Sequence, residues 1–215
     1  ALDDRDPTVR AAAIQAARRI TARPVTEGLI ERLPAMAVRD QVLLLDVLAD
    51  RGDAAARPGV LKLVGAKDEA VRAAAVRALG ALGAAEDVPR LLDLAGTGEG
   101  AIRQAAREAL ARLNAEGTET PILDAAAKAN LPQRNAALAA VADRRMADAG
   151  TVLLEAVEAP APCVRASAMD ALAVVGTPEQ YAAVLKGLAE AEDAAVVKAA
   201  HAAAGAVGKR VGGAE

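Results

Sequence analysis

Few side chains in this sequence are capable of chemistry. Among 215 residues there is one histidine, His201, one cysteine, Cys163, and one tyrosine, Tyr181. A Ser-His or Cys-His pair would have to use His201. Yet Val197 and Gly205, about one helical turn to either side, provide neither nucleophile nor carboxylate. Cys163 follows Pro160-Ala161-Pro162 near an expected helix start, where a thiolate is stabilised. It aligns, however, with Thr8, Ala37, Ala70 and Ala101, all small, and reads as a plain small residue. Asp3-Asp4, Glu86-Asp87 and Glu190 with Glu192-Asp193 have the composition of an acid–base couple or a weak cation site, but they fall at expected turns, where acids cap helices. One His and one Cys cannot build a multi-histidine metal site unless it is all carboxylate or shared with another chain. Phosphate-loop, dinucleotide and H-E-x-x-H motifs are missing. The sequence assigns no catalytic, cofactor-binding or metal residue, and no cofactor.

The most regular polar feature is cationic. Arg10, Arg39, Arg72, Arg103, Arg134, Arg165 and Lys198 each follow an anchor residue: Val9, Val38, Val71, Ile102, Gln133, Val164 and Val197. From one anchor to the next, the sequence number steps by 29, 33, 31, 31, 31 and 33. A column of cations along one groove would collect phosphates or an acidic peptide. The same column would also serve as an inter-repeat ladder of salt bridges and hydrogen bonds that fixes how units stack. Asp6, Asp68 and Glu99 lie one helical turn before Arg10, Arg72 and Arg103, and with the net charge of −3 they favour the structural role. Other arginines change from unit to unit: Arg18-Arg19, Arg77, Arg107, Arg112 and Arg144-Arg145. They mark where a partner would be chosen, or a face kept soluble with Asp46, Glu108, Asp143 and Asp170.

The elements that would position these residues follow from apolar spacing. Four residues after each anchor stand Ala13, Val42, Ala75, Ala106, Ala137, Ala168 and His201, and eight after stand Leu79, Leu110, Val141 and Leu172 in the middle units. That stripe predicts an amphipathic helix of about 14 residues. Between these helices lies a second apolar pattern: Leu29-Ile30, Val60-Leu61, Leu91-Leu92, Ile122-Leu123, Leu153-Leu154 and Val184-Leu185. Pro58, Pro89 and Pro121 suit the first turns of those helices. Gly80 and Gly83 are expected to close one helix, Gly96, Gly98 and Gly100 to loosen a turn, and Pro160 with Pro162 to stop another. Each unit of about 31 residues therefore holds two helices.

Composition narrows the function. The chain has 60 alanines and no Phe or Trp, so its stability must come from close helix–helix contacts rather than from buried rings. Base stacking on aromatic platforms is excluded. Charges of 26 Lys+Arg against 29 Asp+Glu give no global field toward nucleic acid. No apolar run is long enough to span a bilayer. A lone Cys favours no redox compartment, and the opening Ala-Leu-Asp-Asp-Arg-Asp has no signal-peptide layout. The sequence leaves the localisation open.

Asp6-Pro7-Thr8-Val9-Arg10-Ala11-Ala12-Ala13 and residues Asp68 to Gly83 resemble the second helix of HEAT repeats, in particular the short bacterial type called phycobilisome-lyase-type. The resemblance covers residues 1–207 and is weakest at Gln41 to Leu45 and at Gln133. It implies an all-α, right-handed α-α superhelix, a HEAT/armadillo-like solenoid of about six and a half two-helix repeats. Second helices would line its concave side, and the usual work would be holding other proteins. The expected organisation is one solenoid over 1–207, with units 1–20 (partial), 21–51, 52–83, 84–114, 115–145, 146–176 and 177–207, then a flexible tail or linker at 208–215. The partial first unit and uncapped ends read as a fragment of a longer chain. The expected function is a non-enzymatic protein–protein interaction scaffold or spacer within a larger protein, its partners an unidentified protein and other domains of the parent chain. The alternatives are a bilin lyase-like chromophore-attachment subunit and a nucleic-acid-binding solenoid, the latter opposed by the charge balance. HEAT-like deoxyhypusine hydroxylases hold iron through His-Glu motifs, which this chain lacks.

Overall fold

The computed structural model describes residues 1–20 and 22–212. Its helices are α1 (Pro7–Ala17), α2 (Arg23–Arg32), α3 (Val38–Arg51), α4 (Arg57–Leu63), α5 (Glu69–Leu82), α6 (Val88–Thr97), α7 (Gly100–Arg112), α8 (Glu119–Lys128), α9 (Leu131–Asp143), α10 (Gly150–Val157), α11 (Pro162–Val175), α12 (Tyr181–Ala189) and α13 (Ala194–Gly212). No strand occurs among the described residues. Even-numbered helices are the short first members of each pair, and odd-numbered helices are the longer second members. This is an all-α superhelical repeat fold.

The chain divides into two compact units, Ala1–Thr118 and Glu119–Glu215. In the first, α1 packs on α3, α3 on α5 and α5 on α7, while α4 and α6 lean on their partners α5 and α7. In the second, α9 packs on α11 and α11 on α13, with α8, α10 and α12 against α9, α11 and α13. In each, the core is a file of aliphatic side chains between the two helix layers. Leu29, Val60, Leu91, Ile122, Leu153 and Val184 recur at a constant interval on the first helices, and none is more than 2% exposed. On the second helices, Leu44, Ala75, Ala106, Ala137, Ala168 and Ala200 are fully buried.

Small residues set the helix spacing. Gly80 lies inside α5 rather than closing it, a correction to the sequence expectation; the helix ends at Gly83. A Cβ on Gly80 would lie 3.0 Å from the Ala109 Cα and 3.3 Å from its carbonyl oxygen, so α5 and α7 approach backbone to backbone there.

Helix starts fix the register. Asp6 accepts from the Thr8 N–H at 2.7 Å, Asp68 from Ala70 at 2.9 Å, Asn130 from Gln133 at 3.1 Å and Asp193 from Ala195 at 2.9 Å. Asp6 and Asp68, expected to pair with the following arginines, are thus helix caps, each contributing about 1 kcal/mol, whereas Glu99 at the start of α7 makes no side-chain capping bond. The cap positions of α1, α3, α5, α7, α9 and α11 are Asp6, Ala37, Asp68, Glu99, Asn130 and Ala161, evenly spaced in sequence at every step. The step from Ala161 to Asp193 is longer by one.

This register moves two anchors. The slot three residues after the cap in α3 belongs to Asp40, 3% exposed, whereas Val38 is 44% exposed. In α13 the slot belongs to Val196, 1% exposed, rather than Val197.

The tail expected from Gly208 is also revised. Helix α13 continues to Gly212, with Val207 fully buried. Arg210 holds its end in place: Nη1 donates to the Gly176 carbonyl at 2.8 Å, and Nη2 donates to Ala173 at 2.8 Å and Val174 at 3.0 Å. Positions 213–215 of the expected tail lie outside the described residues.

Candidate functional site

The cationic ladder is turned inward, onto backbone. Arg10 Nη1 donates to the Asp4 carbonyl at 2.9 Å and to Arg5 at 3.2 Å. Arg103 Nε donates to Gly98 at 2.7 Å, and Arg134 Nε to Ala126 at 2.8 Å. Arg165 Nη1 donates to Ala159 at 3.0 Å and Pro160 at 3.1 Å, and Arg72 Nη1 reaches Ala66 at 3.5 Å. From Arg72 onward, these carbonyls lie at the C-terminal end of the first helix of the same pair or in the turn after it, where oxygens lack intrahelical partners. Arg72, Arg103, Arg134 and Arg165 therefore tie the two helices of a pair together at their connection, whereas Arg10 holds the segment that leads into α1.

Arg39 and Lys198 do not join this ladder. Both are exposed and make no hydrogen bond or ion pair with the described residues. Gln41 occupies the equivalent position in the second repeat: its Nε2 donates to Leu33 at 3.0 Å and to Pro34 at 3.3 Å. In α13 the equivalent position is Val197, which has no donor to offer. The signal for Gln41 was present in the sequence, since it lies midway between Arg10 and Arg72, one full repeat from each. The conspicuous Val38-Arg39 pair concealed it.

Salt bridges between repeats are fewer than the ladder reading expects. Arg10 Nε lies 2.6 Å from the Asp40 Oδ2, and the Asp40 side chain is 4% exposed. Arg57, which sequence reasoning missed, makes a two-pronged contact with Asp87 at 2.8 and 2.9 Å. Burial alone would push the Asp87 carboxyl up. The Arg57 guanidinium and the Ala84 N–H outweigh burial and hold it below the usual carboxylate range. Arg51 caps the C-terminal end of α1 through the Ala17 and Ile20 carbonyls and also bonds the buried Thr26 hydroxyl at 2.7 Å.

The exposed arginines of the first unit do not merge into a stripe. Equivalent positions on α3, α5 and α7 hold Asp46, Arg77 and Glu108, an alternation of sign. Burial raises the Asp46 carboxyl above its ordinary value, and Arg77 and Arg18 draw it only partly back. Arg18 pairs with Asp50 at 2.9 Å.

His201 is exposed on α13, and its Nδ1 lies 2.9 Å from the Val197 carbonyl. With Val196 as the anchor, His201 stands one residue beyond the slot it was expected to fill, and Ala200 fills that slot. Cys163 is exposed and free in the first turn of α11. Among the described residues, no three His, Cys, Asp or Glu side chains gather in a way that could hold a metal ion. No helix among them is long and apolar enough to cross a membrane.

Two concavities among the described residues lie beside side chains named above. One of about 340 Å³ sits beside the Arg10–Asp40 pair. The larger, about 710 Å³, opens in the second unit between α10 and α12, with Met169 of α11 and Val196 of α13 also in its wall. At its edge Lys186 pairs with Glu158 at 2.9 Å. That hydrogen bond, aided by the charges of Glu158 and Glu190, raises the lysine above its ordinary value.

Comparison with known proteins finds a family match for one segment of the chain. Residues 26–111 match the family of HEAT repeats. No curated protein matches the chain. Among solved structures, the chain is similar to the complex of CpcE and CpcF of phycocyanin lyase from Nostoc sp. PCC7120, at 19% identity over 95% of this chain and 91% of that one, TM-score 0.49. It is similar to human deoxyhypusine hydroxylase at 16% identity over 97% of this chain and 93% of that one, TM-score 0.44. It is also similar to an engineered protein at 19% identity over 86% of this chain and 96% of that one, TM-score 0.45. The helix pairs continue on both sides of the matched segment with the same step between their caps from α1 to α11, so the segment that matches HEAT repeats lies within a longer array of similar helix pairs.

Proposed function

We propose that the chain is a non-enzymatic protein-binding module, a repeat array that presents a surface to a partner protein. The observation that supports this reading is the fate of the ladder. Five of the cations that recur, Arg10, Arg72, Arg103, Arg134 and Arg165, bond to main-chain carbonyls of their own repeat. What is left exposed differs from repeat to repeat, as a surface selecting one partner requires. The alternation of Asp46, Arg77 and Glu108 argues against a nucleic-acid groove, which needs uncompensated cations.

The test is capture on the immobilised chain of proteins from its source cells, compared with an Arg107→Glu/Arg112→Glu variant, both residues being exposed on α7. A saturable partner retained by the native chain and lost from the variant supports the reading; a chain that retains nothing saturable contradicts it. Incubation with bilin and an apo-phycobiliprotein should leave the acceptor uncoloured, and covalent colour would establish the chromophore-attachment alternative instead.

A further inference from the structure

We propose that the cleft between α10 and α12 is a docking site for a peptide segment of the partner, one that carries an aliphatic side chain flanked by lysine or arginine. The inference rests on the protein-binding reading above and gives it a place and a chemistry.

The first argument is a break in the repeat pattern. Leu92, Leu123, Leu154 and Leu185 occupy one column of the first helices, each a full repeat from the next. Leu92 on α6 is 2% exposed and Leu123 on α8 is half-buried, whereas Leu154 on α10 and Leu185 on α12 are 36% and 43% exposed. The column that is covered in α6 lies open on two successive first helices, and Leu154 forms part of the cleft wall. Gly187 lets α12 pack closely against Met169 and Val157 in the cleft wall. A Cβ on Gly187 would run into the Met169 methyl and come within 3.1 Å of Val157. At about 710 Å³ the cleft has the capacity of a site for one large side chain with its flanking backbone.

The second argument is charge. Five charged residues line the cleft: Glu155, Glu158, Glu190, Arg165 and Lys186. Both cations are already engaged, Arg165 on the Ala159 and Pro160 carbonyls and Lys186 on Glu158. Glu155 and Glu190 are exposed and make no hydrogen-bonded or ion pair with the described residues. An acidic ligand would find no free cation here, whereas a basic flank would meet two unpaired carboxylates beside an apolar wall. A second copy of the chain is a competing occupant that the experiment must detect.

The experiment selects a random dodecapeptide phage library on the full chain and measures the enriched peptides, made synthetically, by fluorescence anisotropy. Enriched sequences should place Leu, Ile or Met among Lys or Arg. Leu154→Glu should weaken their binding by about ten-fold or more. Glu155→Lys/Glu190→Lys should weaken it comparably, with the loss shrinking at high salt. All three positions are exposed, and circular dichroism on each variant checks that it folds. Asp124→Lys, on the exposed surface of α8, should leave binding unchanged. Failure to enrich any peptide, acid-rich winners, or winners indifferent to both cleft variants would overturn the cleft assignment. Winners that bind elsewhere would leave the protein-binding reading of the chain standing. Concentration-dependent dimerisation abolished by Leu154→Glu would assign the cleft to a second copy and overturn the peptide proposal.

Discussion

Asp40 shows how a single residue can carry a repeat boundary. It takes an anchor slot that is aliphatic in α5, α7 and α11, and it is tolerated because Arg10 from the preceding repeat neutralises it at 2.6 Å. Asp40→Ala leaves that guanidinium without its partner and is expected to cost about 1–2 kcal/mol in denaturation, less than a fully buried pair because Arg10 keeps 21% of its side chain exposed. Asp87 and Asp46 should give opposite pH signatures. The folded-state value of Asp87 lies below its unfolded one, so its stabilisation is complete above the unfolded value of about 3.9 and is lost as pH falls through the folded value. Asp87→Asn should therefore flatten the acid limb of a stability–pH curve. Asp46 is raised, so the folded chain loses stability as pH climbs from the unfolded value through the folded one. Asp46→Asn should raise Tm at pH 7, with no gain at pH 3; an equal gain at both would contradict the burial argument.

At the scale of elements, the decisive contacts join one helix to the end of another. Gly80→Ala places a methyl against α7 backbone, which has no flexible side chain to yield, and should destabilise by about 1–3 kcal/mol. Deleting residues 208–215 should lower Tm, because Arg210 fastens α13 to the last carbonyls of α11; a linker would be removed without effect. Helix pairing and the first-helix core were legible in the sequence because a constant step in aliphatic residues survives single substitutions. The registers of α3 and α13 were not. Val38-Arg39 mimics the motif two residues before the true slot, filled by Asp40 and Gln41, and an extra residue before Asp193 displaces Lys198. Arg51, Arg57 and Arg210 escaped notice for another reason: each acts on a group far away in sequence, Thr26, Asp87 and Gly176 respectively. The C-terminal helix was hidden by composition, since Gly208 and Gly212 look like a linker until Val207 and Arg210 are seen to be held.

For the whole molecule, the central claim is that the recurring cations build the repeats and leave recognition to the residues that vary. This explains how a chain without Phe or Trp stays folded: close alanine contacts bring the helices together, and arginine–carbonyl ties fix their connections. It also explains why net charge and motif searches say little about a partner, because the regular features are structural. The most direct test compares thermal unfolding of two sets of substitutions. Arg72→Ala/Arg134→Ala/Arg165→Ala removes three half-buried ties worth about 1 kcal/mol each and should lower Tm by roughly 6–12 °C. Arg39→Ala/Lys198→Ala removes two cations of the same apparent motif and should leave Tm unchanged within about 2 °C. Equal Tm values for the triple variant, the double variant and the native chain would contradict the claim and return the ladder to the surface as a binding feature.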